Sequence, residues 1–240
     1  MAHLNQAPAL EESVREFDLA TTTVRELNRY LHKELPANEA PKIVVTHPDG
    51  AHSIACGLDT PVDVEVHGHV GYYVAGMNKH AKVTVHGNAS TGAAENMMSG
   101  EVRIKGFASN GAGASAHGGL LIIEGDASLR CGISLKGGDI VVGGSVGSFS
   151  AFMAQAGRLV ICGDAGEALG DSLYEAVIYV RGKVASLGAD ARFEPMMRGD
   201  VAALGELLAR AGVTHDPREF RKVTSARSLY HWHAEANQEY

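Results

Sequence analysis

The hydrophobic and polar positions of this chain repeat every 19 residues between about residue 64 and residue 185. Two aliphatic positions, separated by one residue, recur in every period. They are occupied by Val64, Val83, Val102, Leu121, Ile140, Leu159 and Ile178, and then by Val66, Val85, Ile104, Ile123, Val142, Ile161 and Val180. Side chains two residues apart lie on one face of a β-strand, and β-branched residues suit a pleated sheet. Each period therefore predicts a strand with one buried face.

A glycine follows the second aliphatic position two residues later, with no insertion or deletion in the series. The repeated glycines are Gly68, Gly87, Gly106, Gly125, Gly144, Gly163 and Gly182. A fixed period of this size indicates stacked, equivalent turns of chain, and it is too short for two strands and a helical crossover. The pattern predicts an all-β fold, a single-stranded parallel β-helix of about seven 19-residue coils. The glycines are then structural corners rather than phosphate-binding loops.

One outward position changes character along the column. Three residues before each glycine the series is Glu65, Thr84, Arg103, Ile122, Val141, Val160 and Tyr179, which begins polar and ends apolar. A solvated face does not normally become apolar. We expect the outer face of the last four coils to be covered, either by a C-terminal helix or by another subunit.

The segments outside the repeat predict flanking helices and three regions. Residues 1–60 form an N-terminal region with an arm over 1–17, a capping helix over about 23–35 and an irregular first coil. Residues 61–195 form the β-helix. Residues 196–240 contain C-terminal helices, the first at about 201–212 with Asp200 as its N-cap, and an aromatic tail that includes Trp232. The capping helix begins with a Thr23–Glu26 capping box.

Composition and charge narrow the functional classes. The chain has 240 residues and a net charge of −7, which argues against general nucleic-acid binding. The sequence has neither a membrane-spanning apolar stretch nor a signal-peptide pattern at its start, so we expect no membrane partner. Three cysteines without a close pair are typical of a reduced, cytoplasmic protein.

The sequence offers few motifs that carry chemistry. Gly111–Ala116 matches a loose dinucleotide-binding pattern, but no helix is expected to follow it. No nucleophile–base pair emerges, and we predict neither catalytic nor cofactor-binding residues on this chain. His67 and His86 occupy equivalent positions in neighbouring coils and should stack about 4.8 Å apart. They are weak candidates for metal ligands, because an exposed ladder of side chains explains them equally well.

The most polar or aromatic variations on the repeat are candidates for contacts with a partner or for lining a channel. They are Tyr72, Tyr73, Met77, Asn78, Glu95, Asn96, Asp171 and Tyr174, with Trp232 in the tail. Each departs from a purely structural repeat, although decoration of a wide loop accounts for them as well.

Three of these stretches resemble a known family. They are His67–Asn78, Ala94–Gly100 and Gly163–Tyr174, and the resemblance extends over about residues 60–195. They are similar to the C-terminal domain of the glutamate synthase large subunit, the GXGXG domain, and to its stand-alone relatives. Among the latter is the B subunit of N-methylglutamate synthase, also called methylamine–glutamate N-methyltransferase. The C subunit of formylmethanofuran dehydrogenase is similar in fold but matches these motifs less closely.

The resemblance implies a right-handed β-helix that performs no chemistry itself. It implies a scaffold between an amidotransferase-like subunit and an FMN-binding synthase-like subunit that also carries an iron–sulfur cluster. The complex would convert glutamate and methylamine to N-methylglutamate and ammonia. Residues Ala2, His3 and Leu4 after Met1 lack the cysteine nucleophile of an amidotransferase, in agreement with such a role.

Other functions stay open at this point. The sequence is also compatible with a subunit of another glutamine amidotransferase or glutamate synthase-like complex, or with a self-contained solenoid that binds a small ligand or a metal. A protein that assembles by stacking its ends is a third class, but the flanking helices argue against it because they resemble caps.

Overall fold

A computed structural model describes residues 14–35 and 42–228 of the chain. Its elements, in chain order, are β1 (Val14–Asp18), α1 (Val24–Lys33), β2 (Lys42–Thr46), β3 (Asp63–His67), β4 (Lys82–Val85), β5 (Glu101–Ile104), β6 (Leu120–Ile123), β7 (Lys136–Val142), β8 (Ala156–Ile161), β9 (Val177–Val180), β10 (Ala191–Glu194), α2 (Arg198–Ala211), a 3₁₀ helix (Pro217–Glu219) and β11 (Arg221–Ser225). No helix among these described residues is long and apolar enough to span a bilayer.

Strands β2 to β9 stack side by side in parallel, which confirms the predicted parallel β-helix. From β3 onwards the register follows the sequence period, so that Val64 pairs with Val83 and Val83 with Val102. The first coil is two residues longer, because Ile43 pairs with Val64. Both aliphatic rows are buried and form one continuous core along the column.

A second ladder runs along the column beside the repeated glycines. Residues two positions after each glycine form parallel bridges from Val70 to Val184. The glycines themselves permit close contact between coils: the backbone N–H of Gly106 donates to the carbonyl of Gly87 at 2.9 Å. A β-carbon at Gly87 would meet the carbonyl oxygen of Gly68, so a larger residue there would push the coils apart.

The N-terminal end of the column is closed by α1 and β1. The predicted capping box is present, since Thr23 Oγ1 accepts from the N–H of Glu26 at 3.2 Å and the Glu26 carboxylate accepts from the N–H of Thr23 at 2.9 Å. The Asn28 side chain donates to the carbonyl of Ser53 at 2.8 Å and accepts from the N–H of Ala55 at 3.0 Å. It thus replaces the hydrogen bonds that a preceding coil would make.

The predicted arm over residues 1–17 is wrong for its last four residues. They belong to β1, which pairs in parallel with β2. The reason is local packing: Phe17 is buried against Tyr30 of α1 with ring centroids 5.2 Å apart, and the Arg15 guanidinium lies 3.9 Å from the Tyr30 ring centroid. An aromatic pair and a cation–π contact hold this strand in place.

The expected cover on the outer face of the last coils is α2. Leu204, Leu207, Leu208 and Ala211 pack in a second core on Leu120, Ile122, Val141, Val160, Cys162 and Tyr179. The helix has 14 residues and is therefore about 21 Å long, close to the roughly 19 Å of four strand spacings. Arg103 on β5 donates to the carbonyl of Ala211, 3.1 Å away, at its C-terminal end. A helix of this length covers the outward row from Ile122 onwards, which explains why that row becomes apolar there.

Two details of the C-terminal region differ from expectation. Asp200 is not the N-cap of α2; Met197 is, and the Asp200 carboxylate accepts from its backbone N–H at 2.8 Å, from within the first turn. The C-terminal end of the column is closed by strands and not by a helix. β11 pairs antiparallel with both β9 and β10, which protects the edge of β9.

Candidate functional site

One face of the column has an unusual backbone. In the six coils that begin at Gly68 to Gly163, residues five, seven and nine positions after the repeated glycine have φ between +50° and +75°. We call the outer surface of residues 72–77, and of the equivalent segments 91–96, 110–115, 129–134, 148–153 and 167–172, the αL face. Its middle position in each coil is buried and occupied by alanine or glycine, for instance Ala75 and Gly113. A β-carbon at Gly113 would lie 2.5 Å from Cδ1 of Ile140, which explains the small residues there.

Large apolar side chains are concentrated on the αL face. Of the eleven exposed large hydrophobic residues among those described, six lie there: Tyr72, Tyr73, Met77, Leu129, Phe149 and Met153. They form two clusters, one near each end of the face. The coils between the clusters present small or polar residues such as Gly92, Asn96 and Ser115.

Several of these residues have a backbone conformation that L-amino acids rarely adopt. Tyr73, Met77, Phe149 and Met153 have φ of 61°, 57°, 57° and 52°. For non-glycine residues the left-handed region costs about 1–2 kcal/mol, and asparagine or glycine tolerates it best. The neighbouring coil has Asn96 at the position of Met77. Methionine and aromatic residues at these positions lower the stability of the folded chain, and because they are exposed they do not contribute to the core.

Most predicted contact residues come together at the N-terminal cluster. Tyr72 and Tyr73 meet edge to face at 6.3 Å, and the N–H of Met77 donates to the carbonyl of Glu95, 2.7 Å away in the next coil. Asn96 adjoins Glu95 on the same face. Tyr72 also stacks on His52 of the first coil, with ring centroids 4.5 Å apart. These neighbours form one surface over three coils.

Asp171 and Tyr174 lie elsewhere on the column, four coils or about 19 Å from Glu95. The Asp171 carboxylate accepts from the N–H of Ala189 at 3.1 Å, while Tyr174 lines a cavity of about 260 Å³ with Glu175 and Arg227. Both residues lie on the coils where the repeat predicted them, but they are far from Tyr72 and Tyr73 and do not belong to the same surface cluster.

Asn78 is a structural residue. It is fully buried, its amide donates to the carbonyl of Ala81 at 2.8 Å, and its oxygen accepts from the N–H of Ala81 at 3.2 Å. It stabilises the turn into β4 and offers no surface to a partner, contrary to the sequence-based expectation. Trp232 lies outside the described residues.

His67 and His86 stack as predicted, with ring centroids 4.4 Å apart and planes 2° from parallel. Sequence reasoning missed their third neighbour, Glu65, whose Oε2 lies 3.5 Å from Nε2 of each ring. The sequence spacing could have indicated this neighbour, because Glu65 and His67 are two residues apart and therefore lie on the same face of one strand. A hydrogen bond from the Lys42 ammonium, partly opposed by burial, holds the pKa of Glu65 below its usual range.

The dinucleotide-like segment Gly111–Ala116 belongs to the αL face and leads into strand β6, with no helix after it. The context that a phosphate-binding loop needs is therefore missing.

The cysteines do not form a cluster for iron–sulfur ligation, which takes four thiolates where this chain has three cysteines. They are free, with Cys131 and Cys162 buried in different coils. Burial raises the pKa of Cys131 to about 12 and that of Cys162 to about 11. That no cofactor belongs to this chain stays a prediction.

Comparison with known proteins identifies one related protein family. No family model matches it. Protein GlxC of Rhizobium meliloti (strain 1021) is 56% identical over 216 residues, which are 90% of this chain and 95% of that protein. The chain belongs to the GlxC family. Matched coverage of this extent includes the greater part of the column.

Proposed function

We propose that this GlxC-family protein is a non-catalytic scaffold subunit of a hetero-oligomeric glutamate synthase-like enzyme, and specifically of N-methylglutamate synthase. In this proposal it bridges an amidotransferase-like subunit and an FMN-binding synthase-like subunit. The reaction of the complex is glutamate plus methylamine to N-methylglutamate plus ammonia. The resemblance of three coil segments to the GXGXG domain supports the class of complex.

The αL face is the observation that carries the scaffold role. Large exposed apolar patches on a folded protein mark surfaces that bind another protein. On this face such residues stand in a strained backbone, where glycine or asparagine would make the isolated chain more stable. Local choices that oppose stability are typical of functional surfaces. We therefore assign the αL face to contact with a partner subunit.

The chemistry of the described residues agrees with a role in holding partners. A catalytic cysteine sits in an accessible, electropositive environment that lowers its pKa. Here burial raises the pKa of all three thiols, including that of the partly exposed Cys56. Catalysis is then the task of the partner subunits, where FMN and the iron–sulfur cluster are expected.

A passage for ammonia or methylamine cannot run through the inside of the column. The interior is filled along its whole length by buried aliphatic side chains, of which Val83, Ile123 and Ile178 are fully enclosed. A passage to which this chain contributes must therefore follow its outer surface, between the column and a partner.

Co-purification with the two proposed partner chains tests this function. We expect a stable three-chain complex that forms N-methylglutamate from glutamate and methylamine, and no flavin absorbance or activity from this chain alone. A complex that forms but needs glutamine and ignores methylamine would support a different amidotransferase complex. A chain that binds neither partner, or that carries flavin by itself, would contradict the scaffold proposal.

The variant Met77→Asn tests the αL face, with Met197→Asn as its matched control. Asparagine accepts the left-handed backbone of Met77, as Asn96 does one coil later. We expect Met77→Asn to keep or raise the melting temperature and to weaken the complex at least tenfold. Met197 is 65% exposed at the start of α2, away from the αL face, and its replacement should leave the complex intact. Equal effects of both variants would remove the αL face from the interface.

A further inference from the structure

Three potential metal ligands converge on the outer side of the first sheet. Glu65 and His67 lie on β3, and His86 directly follows β4. Their ligand atoms all lie within 4.8 Å of one another, and among the described residues this is the only group of three or more His, Cys, Asp or Glu side chains with that property. Other histidine–carboxylate pairs, such as His80 with Asp59, contain a single imidazole.

The carboxylate of Glu65 is held in a fixed orientation. Lys42 Nζ lies 2.8 Å from its Oε1, so Oε2 is the oxygen that faces both imidazoles. A hydrogen-bonded carboxylate of this kind is typical of metal sites, where neighbouring groups orient the ligands. Lys105, the next cation along the histidine row, is drawn to Glu124 at 2.8 Å and does not compete for Oε2.

Two of the three distances between ligand atoms match those of tetrahedral coordination. With bonds of about 2.0–2.2 Å to nitrogen and oxygen, neighbouring ligand atoms of a tetrahedral Zn²⁺ site are roughly 3.3–3.5 Å apart. The Oε2 atom of Glu65 is 3.5 Å from Nε2 of both His67 and His86. The ligand nitrogens of the two histidines lie within 4.8 Å of each other, and the stacked rings have to tilt towards each other to direct both nitrogens at one ion.

The geometry points to a binding site for a divalent transition-metal ion, Zn²⁺ foremost, formed by Glu65 Oε2, His67 Nε2 and His86 Nε2. Two imidazoles and one carboxylate suit Zn²⁺, whereas Mg²⁺ and Ca²⁺ favour oxygen ligands. The side chains are 24–44% exposed, which leaves the fourth position open to water or to a group from another molecule. The site is independent of the proposed scaffold role.

Zn²⁺ titration of the full chain tests the site. The chain is made without a polyhistidine tag, stripped with a chelator and titrated at neutral pH against a chromophoric competitor. His231 and His233, which lie outside the described residues, form another His-x-His pair and are replaced by alanine in the parent. We expect one equivalent to bind with a dissociation constant of about 10 µM or lower.

Single substitutions assign the ligands. His86→Ala and Glu65→Gln should each weaken Zn²⁺ binding by about tenfold or more. His80→Ala is the matched control, because it removes an exposed imidazole that also lies beside a carboxylate. Its affinity should stay within about twofold of the parent. Circular dichroism checks that the fold is kept, and Mg²⁺ in place of Zn²⁺ should not bind measurably.

A second readout observes the imidazoles directly. In the parent, the Hε1 NMR signals of His67 and His86 should shift on Zn²⁺ addition, while that of His80 should not. The proposal is overturned if the parent binds no Zn²⁺ below about 100 µM. It is also overturned if His86→Ala binds as tightly as the parent, in which case the cluster is only a set of ion pairs around Glu65.

Discussion

The phenol of Tyr179 on β9 donates a hydrogen bond to the carboxylate of Asp200 in the first turn of α2, across 3.1 Å. The same carboxylate accepts from the Lys222 ammonium of β11 at 2.9 Å and from the backbone N–H of Met197 at 2.8 Å. One side chain therefore joins the last parallel strand, the closing antiparallel strand and the covering helix.

Replacing this carboxylate should loosen the C-terminal cover. We expect Asp200→Asn to lower the free energy of unfolding by about 1–3 kcal/mol, because hydrogen bonds to a charged group are weakened and Lys222 loses its ionic partner. Urea unfolding followed by circular dichroism measures the change. Glu206→Gln, on the exposed side of the same helix, should change stability by less than about 0.5 kcal/mol.

The stability of the protein should also depend on the ionisation of Asp200. Burial works to raise the pKa of Asp200, but the Met197 N–H, Lys222 and Tyr179 outweigh it and hold the pKa below the usual 3.8. A carboxylate whose folded pKa is depressed stabilises the protein fully above its unfolded pKa, and loses that effect as pH falls through the folded pKa.

The wild type should therefore lose more stability than Asp200→Asn between about pH 5 and pH 3. Urea midpoints across this range test the prediction. Parallel curves for the two proteins would mean that Asp200 has the same pKa in the folded and unfolded chain.

The repeat predicted the column because its physics is local and periodic. A strand with one buried face needs aliphatic residues two apart, and a fixed period forces Val64, Val83 and Val102 into one row. The cover by α2 was predictable for the same reason, since an apolar outward row has to be buried. Neither inference required knowledge of contacts between distant parts of the chain.

The features that escaped prediction depend on backbone conformation and on partners outside the repeat. Tyrosine and methionine are residue types that rarely have a left-handed backbone, so the identities of Tyr73 and Met77 did not predict one. The closure by β11 depends on antiparallel pairing with β9 over a separation of about forty residues. Strand pairing at such distance is not encoded in local periodicity.

The buried αL position should tolerate no β-carbon at Gly113. Its φ is 67°, and the added carbon would lie 2.5 Å from Cδ1 of Ile140. We expect Gly113→Ala to lower the free energy of unfolding by about 1–3 kcal/mol through strain and overpacking. Gly199→Ala is the control, since this exposed position in α2 has no atom within 4 Å. It should stabilise the helix by up to about 1 kcal/mol.

Thermal denaturation compares the two alanine variants, and opposite signs are the expected result. A Gly113→Ala protein as stable as the wild type would show that the coil relaxes at no cost, and that packing does not require glycine at this position.

Cysteine labelling should distinguish Cys56 from the other two thiols. Burial raises the pKa of Cys131 to about 12 and that of Cys162 to about 11, so neither should react with a thiol reagent at pH 8 in the folded chain. Cys56 is half-buried and its thiol donates to the carbonyl of Tyr73, so its labelling also reports on the αL face. Native protein should yield about one reactive thiol, and unfolded protein three.

The variant Cys56→Ser should abolish labelling of the folded protein while leaving two thiols to react after unfolding. Rapid reaction of either remaining thiol in the folded variant would contradict the burial of Cys131 and Cys162.

A polar ladder beside the repeated glycines is interrupted at Phe107. Its side chains accept the backbone N–H of the residue 19 positions later: Asn88 accepts from Phe107 at 3.1 Å, and Asp126 accepts from Ser145 at 2.7 Å. Phe107 is 51% exposed and offers no acceptor to the N–H of Asp126. We expect Phe107→Asn to complete the ladder and to raise the free energy of unfolding by about 0.5–1.5 kcal/mol.

Phe107→Ala separates the two effects of that change, because it removes the exposed ring without adding an acceptor. If the ladder hydrogen bond matters, only the asparagine variant gains stability in urea unfolding, and Asp126→Ala loses a similar amount. Equal stabilities of the asparagine and alanine variants would show that water satisfies the N–H of Asp126 equally well. A polar residue at this position would form a stabilising hydrogen bond that Phe107 cannot form. If Phe107→Asn also weakens partner binding, Phe107 belongs to the interface.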